Sequence, residues 1–259
     1  MRTDFLNIYE QFKSCHIEDA VDFDRFNEIL ISHHSTAIEG SSLTESESRV
    51  LLADGITAKG KSLEDHNMVA DHHAALKKTI ELAKAKKKPS PELIQELSAL
   101  VLRNSGGEIN AMGGTYNSAN GDFRKSMVHV GARYFPDFRK VPQKVSDLCE
   151  LINSRIDTLK SIEDVYGLAF DAHFILVSIH PFADGNGRVS RLLMNFVLSY
   201  HNIPLALIFA EDKAAYYDAL ELSREQETTK PFHDFMYAQQ AKHFAEEIRK
   251  SGEDCFTGL

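Results

Sequence analysis

The sequence predicts an all-α fold: apolar residues recur at helical spacing along most of the chain, capping patterns precede several of these stretches, and a single region reads as extended. Val165, Leu168, Ala169, Ala172, Leu176 and Ile179 fall on one helix face. Phe170, Phe174 and Val177 cover the other side, so this helix is apolar nearly all round and belongs at a domain centre. Leu192, Leu193, Phe196, Val197 and Tyr200 repeat the pattern just downstream. Two central helices are therefore joined by the short segment between them.

Further helices are predicted over 23–38, 44–53, 62–87, 90–104, 140–159, 211–224 and 231–249. Thr44 with Glu47, and Ser62 with Asp65, read as capping boxes. Pro91 suits the first turn of its helix. Between Gly121 and Pro142, the run Ser126 to Val130 precedes Gly131 and Pro136, which predicts a small hairpin or flap. The chain has no repeat, low-complexity segment or evident linker, so residues 1–259 read as one domain.

The 259 residues are 43% hydrophobic and 26% charged, as in globular proteins with a sizeable core. A net charge of −9 argues against a dedicated nucleic-acid binder. The lysines at 84 and 86–88 read as a solvated helix end. Cys15, Cys149 and Cys255 are far apart, so neither a disulfide framework nor a zinc site is expected, and a reducing compartment fits. The first twelve residues lack a signal peptide's apolar run. Leu192 to Ala210 is broken by Asn195, His201, Asn202 and Pro204, short of a membrane span. A soluble, cytoplasmic protein is expected.

The joining segment runs from His180 through Pro181, Phe182, Ala183, Asp184, Gly185, Asn186, Gly187, Arg188, Val189 and Ser190 to Arg191. Pro181 turns the chain out of the first helix and leaves His180 at the loop mouth. Gly185 and Gly187 permit close approach of backbone to a ligand. The second helix starts near Asn186, and its free N–H groups and positive dipole end make an anion site. Arg188 and Arg191 share a face in that helix's first turn, opposing the dipole by a few tenths to about 1 kcal/mol each. A polyanion between them accounts for this placement. Asp184 adds one carboxylate, and magnesium bound with phosphates typically takes only one or two. Histidine, carboxylate, anion loop and two arginines together point to phosphoryl-group chemistry on a nucleotide.

This run resembles the signature of the Fic family, H-x-F-x-[DE]-G-N-G-R-x-x-R, at every defined position. The resemblance implies a Fic-type helical bundle with a hairpin flap, a core over about 90–235, and a protein adenylyltransferase. Such an enzyme moves AMP from Mg-ATP to a Ser, Thr or Tyr hydroxyl of a target protein. It implies His180 as general base, Phe182 as loop anchor and Asp184 as the magnesium ligand. Gly185, Asn186 and Gly187 would cradle phosphates, Arg188 would hold the β and γ groups, and Arg191 would reach the γ-phosphate. Upstream, Ser35 to Gly40 resembles the family's inhibitory motif, [ST]-x-x-x-E-[GN]. It implies an N-terminal inhibitory helix over about 23–40 whose Glu39, one turn from Ser35, pairs with Arg191. In some relatives the same glutamate serves the reverse reaction, deAMPylation, which stays open here.

The flap would dock a target segment, with Phe123, Arg124, Val128 and Val130 as candidates. Tyr216 and Tyr217 resemble the adenine-pocket element, against an even alternative that both are core aromatics. Members of the family often form homodimers. The resemblance spans roughly Phe23 to His233. Two alternatives remain: a nucleotide-binding regulatory module, and a P-loop phosphotransferase. Gly55 to Ser62 fits the P-loop pattern G-x-x-x-x-G-K-[ST], and Leu168 to Asp171 mimics its acidic partner strand, but both lie in helical surroundings. The pairs His33-His34, His72-His73 and His233-Asp234 match no metal-binding spacing.

Overall fold

The computed structural model describes residues 2–19, 22–131 and 133–252. Its helices are α1 (Arg2–Ser14), α2 (Phe23–Ile38), α3 (Glu45–Asp54), α4 (Leu63–Lys84), α5 (Pro91–Val101), α6 (Val141–Arg155), α7 (Ile162–Ile179), α8 (Asn186–Tyr200), α9 (Lys213–Glu225) and α10 (Lys230–Ser251). Strands β1 (Glu108–Ala111) and β2 (Gly114–Asn117) form one antiparallel hairpin, and β3 (His129–Val130) and β4 (Arg133–Tyr134) form another. The all-α class predicted from periodicity is what the chain adopts.

Hydrophobic burial drives the arrangement. α7 and α8 pack antiparallel at the centre, and every residue of α8 except Gly187 is buried. α4 and α5 cover one side of α8, and α2 lies across α4. Fully burying a large apolar side chain is worth about 1.5–3 kcal/mol, so this layered centre supplies most of the driving force. Side-chain caps set the helix starts: Thr44 accepts from the Glu47 N–H, Ser62 from Asp65, Ser90 from Leu93 and Ser161 from Asp164.

The structure adds two elements to the sequence reading. α1 was not anticipated; Phe5 and Phe12 bury against α10, with the Phe12 and Phe244 rings 4.7 Å apart. A second extended region also exists, because β1 and β2 pair with Ile109 opposite Tyr116. Cys15 is disulfide-bonded, contrary to the expectation of unpaired thiols, whereas Cys149 is free and buried. Among the described residues, no helix is long and apolar enough to cross a membrane.

The P-loop pattern is a helix-to-helix connection. Gly55 closes α3 at φ 71°, and Ser62 caps α4. Lys61 donates to the Ser42 carbonyl at 2.5 Å. Asp171 lies within α7 and binds His233 at 2.9 Å, far from any parallel sheet.

Candidate active site

The turn between α7 and α8 is built by its own residues. His180 ends α7 in the left-handed region, at φ 53° and ψ 60°, with its N–H on the Leu176 carbonyl. A non-glycine residue held there stores roughly 1 kcal/mol or more. The Asn186 side chain closes the loop, accepting from the Phe182 N–H at 2.9 Å and donating to the Phe182 carbonyl at 3.0 Å. Phe182 is buried and packs against Phe123, with ring centres 5.6 Å apart. Asn186 therefore spends its side chain on the loop, leaving only its backbone for a ligand.

Gly185 is the N-cap of α8 at φ 77° and provides no side-chain acceptor. The N–H groups at that helix start are left for a ligand. Both first-turn arginines are held by carboxylates. Arg188 donates to Asp184 at 3.0 Å, and Arg188 is 4% exposed while Asp184 is 74% exposed. Arg191 donates through Nε to the Ser35 hydroxyl at 2.8 Å. Its Nη2 donates to the Ser35 carbonyl at 2.8 Å and to Glu39 at 2.6 Å. Ser35 in the last turn of α2 and Glu39 at its C-cap stand one turn apart, which delivers both to one guanidinium. Arg188 Nε and Arg191 Nη1 are buried without a partner.

Glu39 lies over the start of α8. A Cβ on Gly187 would sit 2.4 Å from Glu39 Oε1, so a side chain there would push the carboxylate from its present position.

A cavity of about 620 Å³ opens beside these groups. His180, Glu39, Gly187, Tyr217, Arg133 and Arg224 are among its lining residues. The His180 ring stacks on Phe135 with centres 3.9 Å apart and planes 22° apart. Burial pushes the imidazole down to about 4 rather than its ordinary value of 6.5. The Val177 carbonyl opposes this, although Nδ1 makes no hydrogen bond of proper geometry, and Arg124 and Arg133 reinforce it. His180 is therefore neutral at pH 7 and able to accept a proton.

The two adjacent tyrosines divide. Tyr216 is buried, with its hydroxyl 3.1 Å from His173 Nε2, and burial raises its pKa. Tyr217 is 45% exposed, and both tyrosines line the cavity.

One of the four flap candidates, Arg124, is misplaced. Arg124 is 1% exposed and cannot touch a docked segment, while Phe123 is half-buried and packs on Phe182. Val130 is exposed at the hairpin, and the Val128 carbonyl accepts from the Phe135 N–H at 3.2 Å. Sequence reasoning missed Phe135, Arg133, Arg224 and Glu221. Only Phe135 had a local signal, an aromatic held between the flap and Pro136.

Among the described residues, no group of three His, Cys, Asp or Glu side chains could hold a metal alone. The exposed carboxylate of Asp184 beside the helix start fits a magnesium ion that arrives already bound to phosphates.

This helical bundle, with a histidine loop feeding a helix start, is of the Fic type. Residues 88–198 match the model of the Fic/DOC family. The chain carries a Fic domain of that family. It is 33% identical to a Drosophila willistoni protein named "Protein adenylyltransferase Fic", over 79% of this chain and 38% of that one. The chain thus spans about two-fifths of the length of such curated relatives. Among solved structures, Caenorhabditis elegans Fic-1 matches with TM-score 0.77 and 25% identity, over 97% of this chain and 73% of that one. A Fic-domain signalling protein of Bacteroides thetaiotaomicron has the same fold, with TM-score 0.79 at 24% identity over 97% and 99% of the two chains.

Proposed function

We propose that this protein transfers AMP from Mg-ATP to a hydroxyl side chain of another protein, and that Glu39 restrains it. The carrying observation is the meeting, in one cavity, of a neutral His180 with a helix start flanked by Arg188 and Arg191. His180 takes the proton from the target hydroxyl. That oxygen attacks the α-phosphorus, forming the new P–O bond as the bond to pyrophosphate breaks. Backbone N–H groups at Gly185 to Gly187 and the two guanidiniums hold the charge that develops on the leaving group. Asp184 is the residue that would hold magnesium, which supplies charge neutralisation on the phosphates when bound. Most of the acceleration comes from alignment and fixed charge.

Glu39 opposes this by occupying Arg191 and by placing negative charge where the γ-phosphate belongs. The test uses ATP labelled on the α-phosphate, with wild type, Glu39→Gly and His180→Ala. Weak, strong and absent transfer to protein are expected in that order. Equal transfer by wild type and Glu39→Gly would remove the inhibitory reading. Undiminished transfer by His180→Ala would remove the base.

A further inference from the structure

The Arg124 side chain is one of the largest fully buried groups in the protein. Its hydrogen bonds go to carbonyl oxygens of three separate segments. Nε donates to His180 at 2.8 Å, Nη1 to Ser126 at 2.7 Å and Nη2 to Pro136 at 2.6 Å. Its own backbone N–H donates to the Pro181 carbonyl at 2.9 Å. Ser126 and Pro136 stand at the two feet of the β3–β4 flap. His180 and Pro181 begin the loop that leads to α8.

Three charge-assisted bonds from one group offset the cost of burying a cation. That is an expensive way to close a turn that backbone pairing could close. A rigid planar fork does something else: it fixes three carbonyls relative to one another, which a lysine cannot. The geometry points to Arg124 as a positioning residue that sets the separation between the flap and the His180 imidazole. His180 sits in a strained left-handed conformation, so its ring direction depends on what holds its carbonyl. Phe135, one residue before Pro136, stacks on that ring. Arg124 thus controls the imidazole from two sides: through the His180 carbonyl, and through the flap foot that carries Phe135. The phosphate-facing groups at Gly187, Arg188 and Arg191 are not among its partners. Arg124 therefore governs alignment of the acceptor hydroxyl with its base and leaves nucleotide affinity alone. This inference rests on the adenylyltransferase reading for its kinetic consequence, but not for its structural one.

The test compares Arg124→Lys and Arg124→Ala with the parent, all in the Glu39→Gly chain of residues 1–259. Self-labelling from α-labelled ATP, ATP affinity by calorimetry, and amide exchange over residues 126–136 are measured. Both variants should label at least 30-fold more slowly at saturating ATP. ATP affinity should stay within about threefold, and flap amides should exchange faster. Millimolar guanidinium should restore part of the Arg124→Ala rate. Labelling within threefold of the parent, or a loss of ATP affinity matching the loss of rate, would overturn the inference. Should both variants fail to fold, side-chain NMR of the parent decides. A protected Arg124 Nε–H coupled to the His180 carbonyl supports the clamp, and a freely exchanging one refutes it. If the parent labels nothing, the adenylyltransferase reading fails, while amide exchange and NMR still judge the clamp.

Discussion

Glu39 Oε1 fills the space that a Cβ on Gly187 would need, with only 2.4 Å between them. The same carboxylate is 2.6 Å from Arg191. A side chain at 187 therefore displaces the Glu39 carboxylate, the mobile end of its side chain. We expect Gly187→Ala to weaken the Glu39–Arg191 pair without freeing the site. Labelling from α-labelled ATP should fall below wild type, and should stay low when Glu39→Gly is added. Activation by Gly187→Ala would show that the loop tolerates a methyl where phosphate is expected.

Ser35 contributes two of the three acceptors on Arg191, one from its hydroxyl and one from its carbonyl. Ser35→Ala removes the hydroxyl and leaves Arg191 Nε buried and unpaired, at a cost of about 1–3 kcal/mol. That loosens α2 on the arginine without removing Glu39. Labelling should rise severalfold but remain below Glu39→Gly, and a rate equal to wild type would assign Ser35 no part in the restraint.

Asn186 makes both of its loop bonds inside the protein. Asn186→Ala leaves the Phe182 N–H and carbonyl unpartnered. We expect a loss of roughly 2–4 kcal/mol in unfolding free energy by denaturant titration. Transfer should drop at least tenfold, because the turn that presents the α8 start is no longer closed.

Burial holds His34 and His180 down to about 4 and His243 down to about 3, against an ordinary value of 6.5. Each binds its proton more weakly in the folded chain than in the unfolded one. Between pH 6.5 and about 4 the unfolded chain takes up more protons, so stability is full above pH 6.5 and falls as the medium is acidified. The melting temperature should drop by on the order of 10 °C between pH 7.5 and 5. The acid limb of the transfer rate of Glu39→Gly should lie well below pH 6.5, wherever the fold survives. A limb at 6.5 would mean that His180 is solvated in the working state.

Lys61 reaches the Ser42 carbonyl and stands 3.7 Å from Glu47. Lys61→Ala should leave ATP affinity within about twofold of the parent in the Glu39→Gly chain, and Arg188→Ala should reduce it at least tenfold. The reverse pattern would restore the P-loop reading.

The parts legible in the sequence are those whose physics is local. α7 and α8 declare themselves because their apolar residues repeat over several turns, and α2 matches its predicted 23–38 boundaries. The turn between α7 and α8 is read from twelve consecutive residues, and Ser35 and Glu39 from one helical step. α1 was legible and was overlooked: Phe5, Ile8, Tyr9 and Phe12 recur at helical spacing, and this stripe packs on α10, more than 200 residues away. β1 and β2 are four residues each and half exposed, too short to alternate visibly. Arg124 was misread for a deeper reason. An arginine in a flap looks like a surface contact, and the carbonyls that bury it include one 56 residues along the chain. Tyr216 and Tyr217 are chemically alike in sequence; both line the cavity, and only the packing of α9 buries one and leaves the other exposed.

Glu39 is the last residue before Gly40, which turns at φ 110° with open space around it. The carboxylate and its arginine belong to one polypeptide, so their encounter is unimolecular and does not weaken on dilution. The fraction of molecules with Arg191 unshielded is then the same in a sparse cell and a crowded one. Abundance cannot tune it. A rival for the guanidinium changes the balance.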